Sequence, residues 1–275
     1  MQATAEAMDE VVRKNREIYD NTSGADWYLT VYEGAHQGWE FINLGGLTVA
    51  NRIAQLLEID GEAHIIDVCA GQGGVSRYLA AQRKCRVTAV EWNPGQVRTI
   101  RNHLSKAGPG IASRIDVVEA DATTWRADEL ADGAFSMDAL MLTPQTGALI
   151  ANTAKSLEPG ATFAISVICA GEHITDAMRR FAWDIDGMIH LPGPGWYAQA
   201  LEQAGFEDVV LEDCTDVAIA TSETMERALR ANEARIVAEA GPAVFRGWKD
   251  VGAVYLNAFR QYQLMYLFAH GKLAR

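Results

Sequence analysis

Asp67 ends an apolar run, His64-Ile65-Ile66-Asp67-Val68, and is followed after Cys69 and Ala70 by a glycine cluster, Gly71, Gly73 and Gly74. Glycine in such a break allows positive φ, or lets the backbone approach a ligand that a Cβ would hold away. An apolar run that breaks into glycines is a strand delivering backbone to a nucleotide-type cofactor. A dinucleotide site would read G-x-G-x-x-G, whereas the order here is Asp67-x-x-Ala70-Gly71-x-Gly73-Gly74. No lysine followed by serine or threonine succeeds the glycines, which excludes a phosphate-binding P-loop. An acid ahead of the loop suits a cationic ligand group better than a phosphate.

Two further acids stand at the ends of apolar runs. Arg86-Val87-Thr88-Ala89-Val90 ends in Glu91-Trp92, with Glu91 24 positions after Asp67, close to the spacing at which nucleotide folds place an acid for ribose hydroxyls. Ile115 to Ala120 ends in Asp121-Ala122. The elements that must hold these acids alternate. Val75, Tyr78, Leu79 and Ala80 recur at helical spacing after the glycines, so this segment reads strand, loop, helix, the opening unit of a doubly wound sheet.

With Leu157-Glu158-Pro159-Gly160-Ala161 before a fifth strand, Thr162 to Ile168, the ordered set resembles the class I S-adenosylmethionine-dependent methyltransferases. Cys69 stands where that family usually has its first glycine, and Ala161 replaces the last glycine of the turn. The resemblance implies an α/β Rossmann-like fold: a doubly wound seven-stranded sheet with the last strand antiparallel, and the ligand at the carboxyl ends of the strands. It implies S-adenosyl-L-methionine as cofactor, with Asp67 on the ammonium, Ala70, Gly71 and Gly73 beneath the methionine part, Glu91 on the ribose and Asp121 on the adenine amino group. Trp92, Gln96 and Ala122 belong to the same expected set. Ile18-Tyr19-Asp20, the aromatic stretch from Trp27 to Gly34, and Gly195-Trp196-Tyr197 are similar to the sarcosine and dimethylglycine N-methyltransferases and their prenyl and natural-product C-methyltransferase relatives. By that likeness Tyr28 reaches the methionine end, and Tyr19 and the aromatic stretch close over the site.

The chain has 275 residues, 49% hydrophobic, and a formal net charge of −12. That charge repels phosphates and argues against nucleic-acid or anionic-membrane partners. Cys69, Cys85, Cys169 and Cys214 show no C-x-x-C spacing and read as reduced thiols of a cytoplasmic protein. No apolar run approaches the roughly eighteen residues of a membrane span, and the acidic, polar N-terminus is no signal peptide. Residues 1–45 read as a helix and an aromatic lid, and 46–275 as the core. Between a sixth strand, Val209 to Leu211, and the closing run Gln263 to Ala269, a connection of about forty-five residues replaces a short hairpin. It reads as two helices broken at Gly241-Pro242, an insertion at about 217–261 that covers the acceptor site. The helical N-terminus and lid also offer surfaces for homo-oligomer association.

The acceptor side is less explicit. In these relatives the fourth strand, read from its leading phenylalanine, carries an acid at the eighth position, but counting from Phe135 as the first reaches Leu142. Asp138 is the nearest acid and reads as lying early in the apolar run Met137 to Leu142, a candidate base or an acid satisfied by backbone donors. Glu172 and His173, just after the fifth strand, and His190, in a Pro/Gly loop, are further candidates, with His36 behind them. Their spacing does not suggest a metal. Arg179 and Arg180 could hold a diphosphate or carboxylate. The expected reaction is methylation of a small molecule, first at nitrogen in specialised metabolism or osmolyte synthesis. The alternatives are C-methylation of a prenyl-bearing compound or prenyl diphosphate, with or without cyclisation, and a non-catalytic S-adenosylmethionine-binding protein.

Overall fold

Seven strands form one sheet in the order β3-β2-β1-β4-β5-β7-β6. The computed structural model describes residues 5–22 and 26–275. The elements in chain order are helices α1 (Ala5–Thr22), α2 (Asp26–Ala35) and α3 (Gly46–Leu56), then β1 (His64–Val68), α4 (Gly74–Arg83), β2 (Arg86–Glu91), α5 (Pro94–Lys106), the short α6 (Pro109–Ala112) and β3 (Ile115–Glu119). The second half follows with β4 (Ala131–Met137), α7 (Thr146–Ala154), β5 (Leu157–Ala170), α8 (Asp176–Asp186), α9 (Pro194–Gln203), β6 (Phe206–Asp213), α10 (Thr215–Ala231), α11 (Glu233–Ala240), α12 (Pro242–Arg260) and β7 (Leu264–Leu273). β1 pairs in parallel with both β2 and β4, while β7 runs antiparallel between β5 and β6, as the resemblance implies. The chain winds outward from β1 in one direction and then, from β4, in the other. That reversal opens a crevice at the carboxyl ends of β1 and β4, where such sheets bind ligands.

Local chemistry sets the element ends. All five residues of β1 are buried, as a central parallel strand requires. Asn93 caps α5, its Oδ1 accepting from the amides of Gly95 at 2.7 Å and Gln96 at 3.3 Å, with Pro94 pre-set in the first turn. Thr175 caps α8 in the same way, and Gly187, at φ +67°, closes it.

Several boundaries differ from the sequence reading. β5 begins at Leu157 instead of Thr162: Leu157 already pairs with Ala131, and the 158–161 segment forms an irregularity before Thr162 resumes opposite Gly133. β6 runs for eight residues as an edge strand. The insertion holds three helices, because the chain also breaks at Asn232.

The N-terminal aromatic segment and the helical insertion pack on each other. Trp27, Tyr28 and Val31 of α2 share a buried cluster with Leu229 of α10, Ile236 of α11 and Phe245 of α12, separate from the core around the sheet. Trp248 is its hub, edge-on to Trp27 at 5.3 Å and to Tyr28 at 5.2 Å. No helix among the described residues is long and apolar enough to cross a membrane.

Candidate active site

The β1–α4 loop is built on three left-handed residues, Cys69 at φ +63°, Gly71 at +58° and Gly73 at +70°. The conformation expected of a glycine is thus present at position 69, carried by a cysteine. Gly74 is required for a different reason: a Cβ there would lie 2.6 Å from the Glu40 carbonyl oxygen. The segment around Glu40 and Phe41 is laid directly on the start of α4, and Glu40 pairs with Arg77.

A cavity of about 200 Å³ opens over this loop at the carboxyl ends of β1, β2 and β4. Asp67, Ala70, Gly71, Glu91, Trp92, Gln96, Asp121 and Ala122 all line it. Gly73 lies behind them, facing Ile100. Tyr28 lines a different cavity, described below. The side chain of Tyr19 lies outside the described residues. Over the top runs α1, contributing Val11, Val12 and Asn15 to the walls, and Arg16 stacks on Trp92 at 5.7 Å.

The two central acids are buried. Asp67 Oδ2 accepts from the Ser76 hydroxyl at 2.6 Å, and burial pushes its carboxyl up to about 7. Glu91 accepts from the Gly71 amide at 2.9 Å and the Asn93 amide at 2.8 Å, yet burial also pushes it up to about 7. Asp121 Oδ1 is held in a turn by the amide and hydroxyl of Thr123 at 2.8 and 2.7 Å. Both polar atoms of the Gln72 side-chain amide, the Asn93 amide nitrogen and the Asn15 carbonyl oxygen are buried without a partner on these same walls. Four orphaned polar atoms around one cavity call for a polar ligand, since burial without a hydrogen bond costs about 1–3 kcal/mol each. Gln72, Asn93 and Asn15 were not legible as site residues beforehand, though an amide inside a glycine loop is a usable signal.

A second cavity of about 320 Å³ adjoins the first, with Ile42, Asn43, Asp138 and Leu142 lining both. Its other walls are Tyr28, Tyr32, Trp248, Tyr255 and Phe259, aliphatic residues of α2, α8, α10 and α12, and the polar Asp186, Ser222, Glu226 and Lys249. Asp138 sits at the carboxyl end of β4, not early in a strand, at φ +52°, because the run from Leu140 to Leu142 turns into a single 3-10 turn. Its carboxylate accepts from the Leu44 amide at 2.7 Å, the Tyr266 hydroxyl at 2.7 Å and the Ser166 hydroxyl at 3.1 Å. Burial raises its pKa despite these three donors.

The remaining candidates lie elsewhere. The Asp138 amide bonds Ser166, and β5 continues to Ala170, four residues and about 13 Å further. Glu172 and His173 are therefore carried past both cavities onto an exposed turn, where the His173 amide bonds the Tyr262 carbonyl. His190 packs edge-on against Trp196 at 4.3 Å, outside both linings. His36 is buried between Tyr32 and Phe41, and desolvation pushes it down to about 4, so it stays neutral. Arg179 donates to the Leu191 carbonyl, and neither it nor Arg180 lines a cavity.

A switch-point crevice with an acid-flanked glycine loop, a ribose-spaced acid and unsatisfied amides fits a methyltransferase domain of the S-adenosylmethionine-dependent class. Residues 65–160 match the family described as "Methyltransferase domain". The chain is 26% identical over 184 residues to phosphoethanolamine N-methyltransferase of Triticum aestivum, covering 65% of this chain and 35% of that protein. It is 23% identical over 216 residues to sarcosine/dimethylglycine N-methyltransferase of Halorhodospira halochloris (75% and 77% covered), and 35% identical over 186 residues to sterol methyltransferase-like 1 of Botryococcus braunii (66% and 47%). Phosphoethanolamine N-methyltransferase 2 of Haemonchus contortus, solved with phosphomonomethylethanolamine and S-adenosylhomocysteine, superposes with a TM-score of 0.83 at 17% identity, over 94% of this chain and 60% of that one. The chain thus spans about a third of the wheat relative and under two thirds of the nematode one.

Proposed function

We propose that this protein transfers the methyl group of S-adenosylmethionine to a small molecule whose apolar body occupies the second cavity. The observation that carries this is the shared wall: a polar cofactor cavity opens, past Asp138 and Leu142, onto one walled by aromatic and aliphatic side chains. Among the described residues no arginine lines that second cavity, and its one lysine, Lys249, is outnumbered there by the acids Asp186, Glu226 and Asp138, so an acceptor held by a phosphate or a carboxylate is poorly served. A relative described as sterol methyltransferase-like supports the same reading.

The cofactor supplies an electrophilic methyl on a sulfonium whose charge vanishes on transfer. Asp67 then holds the ammonium, Glu91 the ribose hydroxyls and Asp121 the adenine amino group, with Trp92 and Ala122 beside the base and Gln96 behind it. Gln72, whose side-chain amide is unpartnered on the cavity wall, supplies a further polar contact. Holding the acceptor atom about 3 Å from the methyl, with water excluded by α1 and the α2–α12 layer, supplies most of the rate. A nitrogen acceptor needs only deprotonation. Attack from carbon is favoured by a separate observation: Asp138 lines both cavities, placed to take the proton lost from a cationic carbon skeleton that the rings of Tyr28 and Trp248 stabilise. The free cysteines fit a reducing compartment such as the cytoplasm.

The test is mass spectrometry with a deuteromethyl cofactor offered to sarcosine, phosphoethanolamine, prenyl amines and prenyl alcohols in parallel. Label should appear on the prenyl compounds, and its position separates nitrogen from carbon. Label on sarcosine or phosphoethanolamine alone would overturn the apolar acceptor.

A further inference from the structure

The second cavity contains one acid whose placement neither folding nor methyl transfer explains. Asp186 is the last residue of α8, where the helix dipole disfavours a negative charge. It faces the apolar cavity and lies outside the first one, so it does not touch the shared wall at which the methyl would arrive. Asp138, by contrast, is answered by three donors, and Glu226, also on the second cavity, pairs with Arg230 at 2.6 Å. Among the described residues, the Tyr255 hydroxyl lies beside Asp186 but is itself buried without a hydrogen-bond partner, and Lys14 adds only a more distant charge, its ammonium being bonded to the Asp184 carbonyl. Burial raises the pKa of Asp186, so the fold pays to keep a carboxyl there.

We infer that Asp186, seconded by Tyr255, anchors a hydrogen-bond donor of the methyl acceptor, a hydroxyl or a protonated amine, at the end of the molecule remote from the methylated atom. This rests on the proposed methyl transfer to an apolar acceptor and narrows it: the acceptor is amphipathic, with an apolar body and one donor group. A carboxylate offers lone pairs to such a donor, and the unpartnered Tyr255 hydroxyl can turn its own oxygen toward the same group. An aromatic rim around a carboxylate, here Tyr28, Tyr255 and Trp248, also suits an ammonium. Asp186 is on this reading a specificity determinant and takes no part in the chemical step.

The experiment uses the full chain saturated with S-adenosylhomocysteine and measures binding of four probes of one shape by calorimetry: farnesol, farnesylamine, farnesene and farnesoic acid. Wild type should bind the alcohol or the amine at least about tenfold tighter than the hydrocarbon, as expected for a hydrogen bond to a charged group. Asp186→Leu should erase that preference, and Asp186→Asn should keep farnesol but lose farnesylamine. Tyr255→Phe, the milder change, should reduce the preference several-fold, and it serves if Asp186→Leu does not fold. Farnesene binding as tightly as farnesol, tightest binding by farnesoic acid, binding of none of the four, or a preference unchanged in both Asp186→Leu and Tyr255→Phe would overturn the inference. Failure of S-adenosylhomocysteine itself to bind would instead sink the methyltransferase reading, so the two failures are distinguishable.

Discussion

The Tyr266 hydroxyl donates to Asp138 Oδ1 at 2.7 Å, tying the antiparallel strand β7 to the end of β4 where the two cavities meet. The same carboxylate holds the Leu44 amide through Oδ2, so strand β7, the site and the chain leading into α3 are fixed through one group. A buried acid carrying this much structure can still take a proton, because burial has already moved its pKa upward.

Removing the two functions separately tests this arrangement. Tyr266→Phe should cost about 1–2 kcal/mol in urea unfolding, the worth of a hydrogen bond to a charged partner, and raise the Asp138 pKa further by removing a donor. Asp138→Asn keeps an acceptor for Leu44 but no base. Its affinity for S-adenosylhomocysteine should stay within about threefold, while turnover falls about 10²-fold or more. Equal turnover in the two variants would reduce Asp138 to a structural anchor.

Position 69 predicts a pattern of tolerance. A non-glycine residue in the left-handed region costs about 1–2 kcal/mol, and a β-branched one fits there worst. Cys69→Gly should therefore fold with stability within about 1 kcal/mol of wild type and bind cofactor normally, the relieved strain offsetting the added freedom of the unfolded chain. Cys69→Val should lose more than about 1 kcal/mol and weaken cofactor binding, because the loop must shift. Thermal melts with and without S-adenosylhomocysteine check both. Burial also raises the Cys69 thiol pKa, so alkylation at neutral pH should be slow.

The α2–α12 layer should behave as a part distinct from the cofactor site. Trp248 touches Trp27, Tyr28 and Tyr32 in a cluster separate from the sheet core. Trp248→Ala should lower stability by about 2–4 kcal/mol and raise the acceptor KM, with S-adenosylhomocysteine affinity nearly unchanged in titration.

What was legible beforehand follows from the range of the signal. The β1 loop, Glu91 and Asp121 were readable because residue type, order and spacing are local, and periodicity marks the strands that carry them. The eight residues of β6, Phe206-Glu-Asp-Val-Val-Leu-Glu-Asp213, were cut to three because acids on an exposed edge strand break the apolar pattern. Asp138 was placed too early in its strand because apolar Leu140 to Leu142 continue the run through a turn. The meeting of Tyr28 with Trp248 could not be read at all, since nothing in a single sequence records which distant amphipathic faces pair. Asp186 was missed for another reason: an acid in a last helical turn passes for a solvated one until its surroundings are seen.

The buried acids of the cofactor site predict opposite pH trends for folding and binding. Asp67 and Glu91 rise from 3.8 and 4.5 to about 7 in the folded, ligand-free protein. Between those limits the folded state holds protons that the unfolded chain has released, so stability is full below about pH 4 for these groups and is lost as pH rises toward 7. The melting temperature without ligand should therefore fall from pH 5 to pH 7.5. Binding runs the other way, because an ammonium needs Asp67 ionised and only that fraction is competent: affinity for S-adenosylmethionine should rise about tenfold from pH 5.5 to pH 7. Calorimetric titration across that range checks it, with Asp67→Asn as the control that should bind weakly and with a flattened profile. A wild-type affinity that does not change with pH would show that Asp67 does not hold the cofactor's ammonium.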